Sequence, residues 1–78
     1  MSMDEGFILA NKFRRVIFDE LISGEVDIVH IAKKNRIIPR VAQRIIDEFI
    51  SEGIVEKKGN TYIFTNEGKK LVEAIGRQ

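Results

Sequence analysis

Arg40, Gln43, Arg44 and Asp47 stand at positions i, i+3, i+4 and i+7. This spacing puts four side chains on one face of a helix. Three of them suit the edge of a base pair. Arginine grips the O6 and N7 of guanine, glutamine pairs with adenine, and the DNA major groove admits an α-helix. A phosphate at the helix N-terminus would add to this, whereas Asp47, at the far end of the row, would repel one. Two further sets of cations flank the row: Lys33, Lys34 and Arg36 before it, Lys57 and Lys58 after it. Residues 33–44 hold five basic side chains and no acid, whereas residues 45–56 hold four acids and no base. The net charge is only +1 and the pI about 8.1, short of the strongly basic footprint above about 9. The signal is clustering, not bulk charge. A basic run on a helix is ordinarily just a solvated face, so its meaning depends on the elements that carry it.

Other chemistries find little support. There is no cysteine, which removes disulfides and thiolate zinc sites. The one histidine, His30, has no partner ligands, so neither a metal nor a cofactor is expected. The acid pairs Asp4–Glu5, Asp19–Glu20 and Asp47–Glu48 are neighbours in sequence; on a helix such neighbours diverge by about 100° and cannot converge on one substrate. The glycines show no phosphate-binding spacing, and no nucleophile stands with a base, so an enzyme is not expected. Tyr62, Phe64 and Phe49 invite comparison with a base-stacking platform, but their spacing is better explained as core. No window of about 18 apolar residues exists for a membrane helix. Asp4 and Glu5 occupy the region where a signal peptide needs basic residues. A cytoplasmic location is expected.

The elements that would position these residues follow from periodicity. Seventy-eight residues make a single domain, since two would each be too small to bury a core. Leu9, Phe13, Val16, Ile17 and Leu21 predict one helix from Phe7 to Ile22, with Gly24 as its stop. Glu25–Asp27 reads as an extended link or single-bridge strand, and Asp27 as the cap of a short helix carrying Ile28, Ile31 and Ala32. That helix should end near Asn35 in a tight turn at Asn35–Arg36, where asparagine tolerates the left-handed conformation. Pro39 suits the first turn of a third helix, with Ala42, Ile46 and Phe49 inward, Ile45 and Ile50 beside them, and Gly53 as terminator. The period then becomes two: Ile54–Lys57 and Thr61–Thr65 form a hairpin around Lys58-Gly59-Asn60. Thr65 or Asn66 caps a last helix whose apolar positions are Leu71, Val72 and Ile75.

The resulting order is helix, short strand, helix, helix, strand, strand, helix. With it, the segment Ile31 to Leu71 resembles the winged-helix domains of prokaryotic transcriptional regulators of the broad MarR, ArsR and PadR type. Ala32 matches the small residue of the second helix. Ile46, Phe49 and Gly53-Ile54-Val55 match the end of the recognition helix. Phe64-Thr65, Gly68 and Leu71 match the Leu-Thr-x-x-Gly-x-x-Leu that follows the wing. The resemblance implies an α+β, mainly α fold: a three-helix core, a β-hairpin wing and a C-terminal helix. The helix-turn-helix would span about 27–53, the wing about 54–65 and the last helix about 66–76. It also implies sequence-specific binding of double-stranded DNA by a transcriptional regulator, with helix 39–52 in the major groove. Base contacts then fall to Arg40, Gln43 and Arg44, and phosphate contacts to Lys33, Lys34 and Arg36. Lys57 and Lys58 reach backbone or minor groove.

Small readers of this type usually use two half-sites about 34–36 Å apart, so a homodimer is expected. Phe7, Ile8, Phe18, Ile22, Leu71, Val72 and Ile75 are the candidates for its seam. The alternative is a winged-helix protein-interaction module. Ile38, Val41 and Ile45, near the proposed DNA face, would be its contact surface. No separate effector domain or small-molecule site is evident.

Overall fold

Asn11 splits the first apolar stretch in two. Instead of one helix from Phe7, the computed structural model has α1 (Met3–Leu9) and α2 (Lys12–Ile22). Asn11 is extended (φ −135°, ψ 126°), and its side-chain oxygen accepts from the N–H groups of Phe13 and Arg14 at 2.8 and 3.1 Å. That is an N-cap, which starts a new helix and stops the old one from running through. The break folds α1 back onto the rest of the chain. Ile8 is wholly buried and Phe7 meets Phe49 edge-on at 6.1 Å. The structure describes residues 3–76; the ends of the 1–78 domain span, and the Asp4 side chain of the Asp4–Glu5 pair, lie outside the described residues.

Three helices end in the same way. After α2, after α3 (Ile28–Lys34) and after α4 (Pro39–Ser51), two N–H groups fold back onto carbonyls of the last turn. The pairs are Gly24 to Leu21 and Glu25 to Glu20, Arg36 to Lys33 and Ile37 to Ala32, and Gly53 to Ile50 and Ile54 to Phe49. This is the Schellman arrangement, whose pivot residue must adopt positive φ. Gly24 (φ 101°) and Gly53 (φ 75°) supply it without strain, as expected, but at the third turn the pivot is Arg36, at φ 55°. The sequence pointed to Asn35 as the left-handed residue. Asn35 has φ −101° and uses its side chain otherwise: Nδ2 donates to Glu20 Oε2 at 2.8 Å and to the Ile31 carbonyl at 2.9 Å. The capping role of Asp27 is as expected, its carboxylate accepting from Val29 and His30.

The hairpin is tighter than its sequence implied. β1 (Val55–Lys58) pairs antiparallel with β2 (Thr61–Phe64), and Lys58 faces Thr61. Lys58 therefore belongs to the strand, and the loop is two residues long, with Gly59 at φ 61°. No strand forms at Glu25–Asp27; the link joins the hairpin through the Tyr62 N–H, which donates to the Val26 carbonyl at 3.3 Å, and Glu25 Oε1 accepts from the N–H groups of Val26 and Asp27. Thr65 opens α5 (Asn66–Gly76). Its Oγ1 accepts from the Gly68 N–H at 3.0 Å, while its own proton lies within reach of the Gly53 and Ile54 carbonyls.

The architecture is a compact, mainly helical α+β fold in which a two-stranded hairpin follows four helices and precedes a fifth. All the elements share one core. Phe18 and Phe49 at its centre are fully buried and lie edge-to-face at 6.3 Å, and Phe64 reaches Phe18 at 5.4 Å. Phe49 and Tyr62 are thus structural and offer no stacking platform. Two further expectations are corrected by burial. Ile45 is only 4% exposed, because it lies on the same buried face as Ala42, Ile46 and Phe49, so the Ile38/Val41/Ile45 contact strip loses Ile45 and is reduced to exposed Ile38 and half-buried Val41. The dimer seam suffers likewise: Ile8, Phe18, Leu71 and Ile75 are all core residues, with Phe7 and Val72 packed against them. Of the seam candidates only Ile22 stays exposed, at 43%; the rest of the apolar surplus is absorbed inside the chain. Among the described residues, no helix is long and apolar enough to cross a membrane.

Candidate functional site

The outward face of α4 is polar throughout the expected row. Arg40, Gln43, Arg44 and Asp47 are exposed, while Ala42, Ile45, Ile46 and Phe49 are buried. Together with Glu48 and Ser51, the four exposed residues line a shallow open groove along the helix. Ser51 continues the same row at i+4 from Asp47, a signal that was present in the sequence but not used. Gln43 does not project freely: its Nε2 donates to Asp47 Oδ1 at 3.0 Å, one turn on. Glu48 is turned aside by a contact between helices, its Oε2 accepting from Arg14 Nη2 at 3.0 Å. The Arg14 guanidinium also donates to the Phe7 carbonyl at 3.2 Å and lies 4.0 Å from the centre of the Phe7 ring, so it clamps α1, α2 and α4 together.

The groove is cationic at its N-terminal half, around Arg40 and Arg44, and anionic beyond. The helix N-terminus is a poor phosphate cradle. Ile38 occupies the N-cap without a side-chain cap, Pro39 has no N–H, and the N–H groups of Val41 and Ala42 both donate to the Ile38 carbonyl. Among the described residues, the N–H groups of Ile38 and Arg40 are the donors left at this end. The phosphate expected there would have to be held by side chains instead.

The flanking cations divide into two kinds. Lys33, Arg36, Arg40, Arg44 and Lys57 have no ion pair among the described residues. Lys34 is held by Glu20 at 3.1 Å and Lys58 by Glu56 at 3.6 Å. Hydrogen bonds from Asn35 and Lys34 to Glu20 hold its carboxyl below the usual glutamate range. Strand alternation separates the hairpin pair further. Lys57 lies opposite Tyr62 and Lys58 opposite Thr61, both exposed but on opposite faces of the strand, so a flat surface meeting one of them does not meet the other in the same way. None of Lys33, Lys34, Arg36, Lys57 or Lys58 lines the α4 groove.

The remaining titratable groups do not assemble a site. Asp19 pairs with Arg15 and Glu20 with Lys34, while Asp47 and Glu48 go to Gln43 and Arg14. The adjacent acids diverge as their spacing required. His30 is exposed, with Nε2 3.6 Å from Glu25. Among the described residues, no group of three His, Cys, Asp or Glu side chains is placed to hold a metal. No family model matches the chain, and comparison with curated proteins and with solved structures returns no match.

Proposed function

We propose that this chain is a winged helix-turn-helix domain that binds double-stranded DNA sequence-specifically, as a cytoplasmic transcriptional regulator. In this reading α2, α3 and α4 are the three-helix core, the hairpin is the wing, α5 is the C-terminal helix, and α1 is an N-terminal addition. The observation that carries it is the division of α4. One face supplies the core, and the other presents Arg40, Gln43 and Arg44 to solvent, the two arginines having no carboxylate partner among the described residues. Unpaired arginines are ready to pair with guanine edges or phosphates without first breaking an internal bond. Lys33 and Arg36, just before α4, and Lys57 on the hairpin add cations that would set register on the backbone. Lys34 and Lys58 contribute less, because each must first leave a carboxylate.

The molecule measures 30 × 25 × 21 Å. A single copy therefore spans less than the ~34–36 Å between half-sites of a palindromic operator. It would read one half-site, and a second copy would be needed for two.

The test is fluorescence anisotropy on mixed-sequence duplex DNA across a salt series, for the native chain and for Arg40→Ala/Arg44→Ala. Saturable binding is expected, with a log–log salt slope of about −0.9 per phosphate contacted, and the double variant should bind at least about tenfold more weakly. No binding at low salt, where non-specific affinity is strongest, would overturn the reading.

A further inference from the structure

The least expected feature of the proposed reading helix is the apolar character of its tip. Ile38 is 62% exposed, the most exposed large apolar side chain among the described residues. It sits at the N-cap of α4, a position that favours Ser, Thr, Asp or Asn because their side chains satisfy free N–H groups; isoleucine does none of this. Pro39, next to it, is also exposed, and Val41 is half-buried against the core. The tip thus offers an apolar surface and almost no hydrogen-bond donors. Cations surround it in sequence, with Arg36 two residues before Ile38 and Arg40 two after, and neither has an ion pair among the described residues. An apolar protein partner would leave these charges to be desolvated. A polyanion that itself carries an apolar group suits both features, and in the major groove of DNA that group is the C5 methyl of thymine.

We infer that Ile38, with Pro39, is a specificity-determining contact that packs on a thymine methyl at the end of the site read by α4. The inference rests on the DNA-binding reading above. It adds that the recognised sequence contains a thymine beside the bases facing Arg40 and Gln43, read by its methyl and not by hydrogen bonds.

The experiment removes that methyl alone. A preferred duplex is selected with the native chain from a randomised pool, and each thymine in it is replaced in turn by deoxyuridine. Affinities are measured for the native chain and for Ile38→Ala, whose exposed position lets it fold; a thermal melt checks that it does. At one thymine, loss of the methyl should weaken the native chain about fourfold, which is what burial of one such group is worth. Ile38→Ala should bind the thymine duplex correspondingly more weakly and be indifferent to the replacement. Indifference of the native chain to every replacement, an equal loss in the variant on both duplexes, or selection of no preferred sequence would each overturn the inference while leaving DNA binding intact. Failure of the native chain to bind any duplex at low salt would remove the DNA-binding reading and this contact with it.

Discussion

Gly68 passes so close to Ile54 that a β-carbon on it would overlap the Ile54 carbonyl oxygen. The approach is held from both sides by Thr65, whose hydroxyl accepts from the Gly68 N–H and lies 3.1 Å from that same carbonyl. This one junction fixes how α5 leaves the hairpin and how β1 follows α4. Gly68→Ala should therefore destabilise the fold by about 2–3 kcal/mol, since neither neighbour is a flexible side-chain end that can give way. In a domain of this size that lowers the melting temperature by about 10–20 °C. A melt of Gly68→Ala within a few degrees of the native chain would show that the junction relaxes.

Arg36 trades stability for placement. Its φ of 55° costs about 1 kcal/mol for a residue with a β-carbon, whereas the two equivalent turns use Gly24 and Gly53. Arg36→Gly should leave the fold as stable or raise its stability by up to about 1 kcal/mol, the larger unfolded-state entropy of glycine offsetting part of the gain. The same change should weaken DNA binding and reduce the salt slope by about 1. Chemical denaturation and anisotropy on the same preparations separate the two effects. A variant that is more stable and binds DNA as well as the native chain would leave Arg36 without a role in binding.

Glu20 makes the α2–α3 contact sensitive to acid. Its folded-state pKa is lowered, first by the hydrogen bond from Asn35 and then by Lys34. A lowered carboxyl pKa contributes stability that is present above the unfolded value, near 4.3, and is lost as pH falls through the folded value. The stability difference between the native chain and Glu20→Gln should therefore be largest near neutral pH and shrink as pH falls below about 4.3. Parallel denaturation curves at pH 7 and pH 3 check this. A difference independent of pH would assign the contact to packing and not to charge.

Asp47 limits how far along α4 a polyanion can lie. Asp47→Asn keeps an oxygen that can accept from Gln43 but removes the negative charge from the groove. Affinity for arbitrary duplex should rise about threefold at low salt, and the gain should fade as salt screens it. Unchanged affinity would mean that the C-terminal half of the groove lies clear of DNA.

Much of this molecule is legible from its residues in order. The helical face carrying Arg40, Gln43 and Arg44, the caps at Asp27 and Thr65, the stops at Gly24 and Gly53, and the inward turn of Tyr62 all follow from local rules. Backbone geometry, side-chain reach and a repeating period decide each of them within a few residues. What the residues in order did not reveal are competitions between distant parts. The stretch Phe7–Ile22 carries a helical period throughout, and the period does not mark the break at Asn11, because the cost of breaking the helix is recovered only when α1 finds Phe49, 42 positions after Phe7. Ile45 has the period of either face; the buried side of α4 is wide enough to take it, and only packing shows that width. Asn35 and Arg36 exchange roles because Glu20, on another helix, captures the asparagine and leaves the arginine to make the turn. Sequence alone therefore determined most of the elements and the exposed row Arg40, Gln43, Arg44 and Asp47 on α4. Tertiary packing determined which apolar residues stay exposed, which cations stay unpaired, and hence where a partner can bind.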